Sequence, residues 1–301
     1  MMQLATARLA IVLTVFFSAA AVRAADDSSA ASSGKKYSLR YKFQMGEVLR
    51  YGVKHSANIK STIEGTSQQA ETTSESIKAW KITDVLPNGE MEFVHLVEVV
   101  RMSNRVPNRA WTEFDSERDK TPPPGFEQAA RAVGVPLSVV RITPAGKVVE
   151  RQEKHPQPPH SDDMPITLQL PQKPITVGEQ WDATYDVPAE RKSGAPVQVR
   201  TRRVCTLRQV KNGIASINVE YQILTPVSAY IESQLVERLT KGTVRFDMDK
   251  GRIVSQKFEA DRRVLGFAGA TSSMHYVSRL EERLLKPGER LAGKAEKTSD
   301  R

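Results

Sequence analysis

Apolar and polar residues alternate along much of the chain, most regularly from Val244 to Leu265. Val244, Phe246 and Met248 stand between Arg245, Asp247 and Asp249, and Asp249-Lys250-Gly251 supplies a turn in which glycine can take positive φ. On the return, Val254, Phe258, Ala260 and Val264 share one parity, while Ser255, Lys257, Glu259, Asp261 and Arg263 hold the other. Period-2 patterning of this kind predicts a hairpin with one buried and one wet face. Val140 to Gln152, VRITPAGKVVERQ, has the same Val-Arg start, a glycine and a Val-containing return, and reads as a second copy of the unit.

Upstream, Tyr37, Leu39, Tyr41 and Phe43 alternate with Ser38, Arg40, Lys42 and Gln44, which predicts a half-buried strand. Met45-Gly46-Glu47 turns into a strand over 48–60. The polar stretch 61–76 is open between a solvated hairpin tip and a loop. A strand over 77–85 carries Trp80 and Ile82 on one face. Asn88-Gly89 predicts a type I′ hairpin into a long strand over 90–102 that is apolar on both faces. A further strand passes through Trp111 and is stopped by Pro122-Pro123-Pro124. Phe126, Ala129, Ala130 and Val133 mark a short helix, with Gly134 past its end.

The order of parts then recurs. Val177-Gly178-Glu179 echoes the first Gly-Glu turn, Asn212-Gly213 the first Asn-Gly hairpin, and Ser228 caps a helix with Ile231, Leu235 and Leu239 on its apolar stripe and Gly242 at its end. The Val-Arg hairpin follows. Five features in one order suggest duplication. The last element, 270–285, reads as strand in its front half, with its back half open between strand and helix. The expected fold is α+β, mainly antiparallel β: two similar lobes of curved sheet, each with one short helix. The expected divisions are a signal peptide over 1–24, a disordered tether over 25–36, a first lobe over 37–153, a Pro-rich linker over 154–174, a second lobe over 175–285 and a disordered tail over 286–301.

The signal peptide rests on Arg8, the apolar run Leu9 to Ala21 and the small-x-small site Val22-Arg23-Ala24. Its alternative is an uncleaved N-terminal anchor. Export, to periplasm or exterior, is therefore expected, and no later segment is apolar enough to span a membrane, so the cleaved chain is not an integral membrane protein. The net charge of +9 falls to about +7 without Arg8 and Arg23 (9 − 2) and is interspersed with acids. No basic stripe interleaved with aromatics stands out, so nucleic acid is not an expected partner. The single cysteine, Cys205, allows no intrachain disulfide, and the fold must rest on its core.

Catalytic and cofactor signatures do not stand out, and no cofactor or metal is expected. His55, His95 and His275 fall in predicted strands. His155, His160, Asp162 and Asp163 cluster among prolines without supporting residues. Asp115, Asp247 and Asp249 sit at turns, where turn chemistry accounts for them. Trp80, Trp111 and Trp181 read as sheet anchors, with sugar or apolar stacking as the alternative.

The tracts YKFQMGEVLRYGV, VGEQWDATYDV and GTVRFDMDKGRIVS resemble exported, β-rich bacterial proteins of unknown function. The resemblance implies an extracytoplasmic β-rich domain and brings no catalytic residue. The expected function is a non-enzymatic exported binding protein for an apolar or cell-envelope ligand, a lipid or a glycan. A structural module that pairs with an envelope protein is the alternative, and a hydrolase whose site is assembled from distant residues is a third reading.

Overall fold

The computed structural model describes residues 34–107, 109–156 and 166–291. The expected signal peptide, most of the tether and tail, and His160, Asp162 and Asp163 lie outside the described residues. The strands are β1 (Val48–Ile63), β2 (Thr66–Val85), β3 (Met91–Arg105), β4 (Thr112–Asp115), β5 (Pro136–Ile142), β6 (Val148–Glu153), β7 (Gln180–Glu190), β8 (Pro196–Lys211), β9 (Ile214–Ile223), β10 (Lys241–Asp247), β11 (Arg252–Leu265) and β12 (Ser273–Leu284). Helix α1 spans Glu127–Ala132 and α2 spans Ala229–Leu235, followed by a 3-10 turn at Val236–Arg238. The polar stretch 61–76 is a long hairpin tip, and the last element is strand throughout.

All twelve strands belong to one sheet, in the order β6-β5-β3-β2-β1-β12-β11-β10-β9-β8-β7, with β4 added beside β3. The expected pair of separate lobes is corrected accordingly: the fold is mainly antiparallel β, and the two halves of the chain are successive parts of one sheet. The repeated order of parts nevertheless has a spatial counterpart. The first half runs β6-β5-β3-β2-β1 across the sheet, and the second runs β11-β10-β9-β8-β7 in the matching sequence of parts. β12 is the extra strand, and it joins β1 to β11.

The two Val-Arg hairpins match in detail. Each shifts register at the same place, after Arg141 in β5 and after Arg245 in β10. Val140 and Ile142, like Val244 and Phe246, are fully buried. In β11 the shift puts Ile253 on the inner face in place of the expected Val254. The Gly-Glu turns match as well. Glu47 accepts the Gln44 N–H at 3.3 Å, and Glu179 accepts the Thr176 N–H at 2.7 Å. A third such turn closes the described chain, where Glu289 accepts the Lys286 N–H at 2.9 Å. The Asn-Gly turns differ. Asn212 and Gly213 both have positive φ (50° and 74°), as type I′ requires, whereas at the first turn only Gly89 does (82°).

Tyr37 to Phe43 corrects another expectation. It alternates like a strand but lies inside the curved sheet instead of pairing along it, with Leu39, Tyr41 and Phe43 buried in the main core. Its Tyr41 N–H donates to Pro144 O (2.8 Å) and its Lys42 N–H to Gly251 O (3.0 Å), so it runs across the turns of both Val-Arg hairpins. A strap over 166–175 covers the same end of the sheet and contributes Leu168, Leu170 and Ile175 to that core. α2, capped by Ser228 as expected, buries Ile231 and Leu235 against β7 and β8. Its 3-10 extension puts Val236 among Ala57, Ala260, Val264 and Tyr276. Gly242 does not end this helix. It lies in β10, where a Cβ would come within 2.6 Å of the Phe258 ring and 2.0 Å of Lys257 O.

Candidate functional site

Strand register sorts the side chains into two faces. On the outer face one row crosses six strands with alternating sign: Asp115, Arg101, Glu75, Lys54, Glu281 and Lys257. Lys54 pairs with Glu75 at 2.8 Å and Lys257 with Glu281 at 3.1 Å. An open groove of about 700 Å³ lies along the first five of these residues. Its charges neutralise one another: the exposed pairs contribute little, while the buried Asp115 is held by Arg101. The inner face differs. A smaller hollow of about 310 Å³ lies there between the strap at Ile166–Leu168 and the 3-10 turn at Glu237–Arg238.

The floor of the hollow is a row of inner-face side chains. Arg203 of β8 stands opposite Tyr221 of β9, and Phe258 of β11 opposite Leu280 of β12, which faces His55 of β1. The Tyr221 and Phe258 rings are 6.3 Å apart. Gly242 makes this approach possible, because it leaves the space that Phe258 occupies. Trp80 of β2 closes one side. Its ring stacks on Phe93 at 4.7 Å, and its Nε1, fully buried, has no hydrogen-bond partner.

Three cationic side chains line the hollow: Lys78, Arg203 and, from the 3-10 turn, Arg238. Lys78 reaches across β1 to Glu282 of β12 at 2.7 Å, and it lies 5.2 Å from the ring centres of both Tyr51 and Trp80. Lys78 is on the inner face because it shares the parity of Trp80 in β2 and stands opposite Tyr51 of β1. Arg203 is only 6% exposed. Its Nη1 donates to Thr167 O at 3.0 Å, its guanidinium carbon lies 5.2 Å from the Tyr221 ring centre and 6.0 Å from that of Tyr185, and its Nε has no partner. Among the described residues no carboxylate lies within ion-pair distance of it. Burial works against the Arg203 charge, but Tyr221, Tyr185, Cys205 and Tyr41 leave its pKa above the ordinary value. Burial pushes Tyr185 and Cys205 each up to about 12 and Tyr41 higher still, so these three are neutral at physiological pH. The thiolate of Cys205 is correspondingly suppressed, and Cys205 is a packing residue.

The strap is tied by side chains of both halves. Tyr41 donates to Leu168 O (3.1 Å), Trp181 to Gln169 O (2.8 Å) and Thr167 to Gly146 O (2.6 Å). Trp181 is thus a strap anchor and Trp80 a core residue, while Trp111 is 46% exposed. Other sequence candidates stay apart. Asp247 accepts the N–H groups of Asp249 and Lys250 at its turn. Asp115 is held by Arg101 and Arg118. His275 meets Asp261 at 2.7 Å on the outer face. Burial, with Lys78 and Arg151, lowers the His95 pKa to about 3, and its Nδ1 has no partner. Neither histidine is given both a carboxylate and a hydroxyl. Of the residues that face the hollow, Lys78, Arg203 and Glu282 carried no sequence signal beyond the parity of their strands.

No family model and no curated protein matches the chain. Among solved structures it is similar to lipovitellin, described for its lipid–protein interactions, at 14% identity and a TM-score of 0.44. The match covers 84% of this chain but only 27% of that one. It is also similar to OccK11 (OpdR) of Pseudomonas aeruginosa, at 9% identity and a TM-score of 0.20, covering 84% of this chain and 100% of that one. A DUF1329 family protein of Desulfovibrio piger aligns at 10% identity and a TM-score of 0.15, covering 79% and 87%. At these scores neither a ligand nor a shared activity passes to this chain.

Proposed function

We propose that the protein is an exported, non-enzymatic binding protein whose ligand, an apolar or amphiphilic component of the cell envelope, occupies the inner hollow. One observation carries this reading: a cavity at the lower end of the size range of small-molecule sites is lined by aromatic and aliphatic side chains together with polar and charged ones, among them Trp80 and Arg203, each of which has a buried nitrogen that lacks a partner. Such groups cost stability when left unsatisfied. A ligand with an apolar body and a polar end matches this mixed lining. Among the described residues no helix is long and apolar enough to cross a membrane.

Native mass spectrometry of protein released from its own cells without detergent tests the reading. The expected spectrum carries an additional mass that disappears after organic denaturation. A ligand-free spectrum, together with no uptake of an apolar fluorophore such as N-phenyl-1-naphthylamine, would overturn it. A second reading, pairing with an envelope protein, is favoured by β6 and β7, the two edges of the sheet. Crosslinking in cells through residues of β6 or β7 separates the two, because only the second requires a defined protein neighbour there.

A further inference from the structure

We infer that Arg203 binds the anionic end of an amphiphile, a carboxylate or a phosphate, whose apolar body lies along Phe258, Leu280 and Trp80. This rests on the proposed binding function and specifies its ligand class. A guanidinium offers five N–H donors in a planar fork. Here its Nη1 donates to Thr167 O, and its Nε–H is buried without an acceptor. The rings of Tyr221 and Tyr185 offset part of its desolvation. They supply no counter-charge. A buried cation without a carboxylate is costly, and an oxyanion that accepts two parallel N–H bonds is the group that best relieves it.

The neighbouring cations do not compete for this role, and Arg238, at the 3-10 turn, has a partner of its own. Lys78 already has Glu282 at 2.7 Å. The outer-face arginines that line the large groove, Arg101 and Arg118, already meet Asp115. Arg203 is therefore distinguished by having been placed inside the sheet, over an apolar row, with phenol rings where its carboxylate would be.

Calorimetric titration of the full chain with dodecanoate, dodecyl phosphate, dodecanol and inorganic phosphate tests the inference. Wild type should bind at least one of the two anionic chains roughly tenfold or more tightly than dodecanol. Arg203→Gln, which keeps a donor for Thr167 O but no charge, should bring the three chains within about threefold of one another. Equal wild-type affinity for dodecanol and both anions would overturn the inference and leave the binding function standing. Binding of none of the three chains would overturn both. Inorganic phosphate held as tightly as dodecyl phosphate would assign Arg203 to a free anion and also overturn it. Should R203Q fail to fold, carboxyl-labelled dodecanoate on wild type gives a second readout by carbon NMR. A bound carboxyl that titrates below the free acid supports the contact with Arg203, and one that titrates above it refutes the contact.

Discussion

Arg203 in β8 donates through Nη1 to the carbonyl oxygen of Thr167, 3.0 Å away and 36 residues earlier in the chain. The bond ties the covering strap to the sheet at the point where the hollow begins. Thr167 in turn donates to Gly146 O, in the turn of the first Val-Arg hairpin. Cation, strap and hairpin thus form one connected unit. A ligand anion that engages Arg203 would act on the same guanidinium that holds the strap.

The two hairpin turns explain why each copy carries a glycine in its turn. A Cβ on Gly146 would come within 2.5 Å of the Tyr41 ring and 2.6 Å of Leu168 O, and one on Gly251 within 2.5 Å of Lys42 N. Both glycines also have positive φ, 78° and 61°. Gly146→Ala should therefore cost about 3 kcal/mol, from backbone strain plus displacement of the buried segment, and lower Tm by roughly 6–12 °C. Gly134→Ala is the control. Its φ is 77°, yet nothing lies within 4 Å of its Cβ position, so the loss should be about 1 kcal/mol. Equal losses for the two variants would show that the buried segment does not press on the turn.

Much of the architecture was legible because it depends on local chemistry. The Gly-Glu turns, the type I′ turn at Asn212-Gly213, the Ser228 cap and the paired Val-Arg hairpins all follow from residues adjacent in sequence. Tyr37 to Phe43 was misleading because any extended segment with one buried face alternates, whether or not its backbone joins a sheet. The hollow was hidden for a different reason. Lys78, Arg203 and Glu282 look like solvent-facing charges until strand register is known, and a register shift after Leu207 moves parity along β8. Cys205, whose face was ambiguous from its neighbours Arg203, Leu207 and Gln209, falls on the inner face because Gln209 lies beyond such a shift. Gly242 could not be told from a helix end without knowing that Phe258 needs its space.

Lys78 and Glu282 form a pair whose two members should not be removable singly. The Glu282 side chain is 6% exposed and that of Lys78 is 19% exposed. Glu282→Gln leaves an ammonium enclosed by Tyr51 and Trp80 and should cost about 2–4 kcal/mol in urea unfolding. Adding Lys78→Met to that variant should restore most of the loss, since the cost comes from the uncompensated charge. A double variant no more stable than E282Q would place the loss in packing or in the carboxylate's other contacts.

His95 should make stability fall with acid. Burial, then Lys78 and Arg151, lower its folded pKa to about 3, against an ordinary value of 6.5. Between those two values the unfolded chain takes up a proton that the folded chain refuses, so protonation favours unfolding. The contribution is fully present above pH 6.5 and is lost as pH falls toward 3, at up to about 1.4 kcal/mol per pH unit. The His55 pKa is lowered by burial as well, with Glu237 opposing, so it adds to the slope in the same direction. Ser138 and Trp80, the cross-strand partners of His95, give it no counter-charge. His95→Leu should therefore flatten the dependence of unfolding free energy on pH between 6.5 and 4, leaving the remainder to His55 and the carboxylates. The measurement is a set of urea midpoints across that range for wild type and variant. Parallel curves would mean that folded His95 accepts its proton near the ordinary value, and that Lys78 and Arg151 do not hold it neutral.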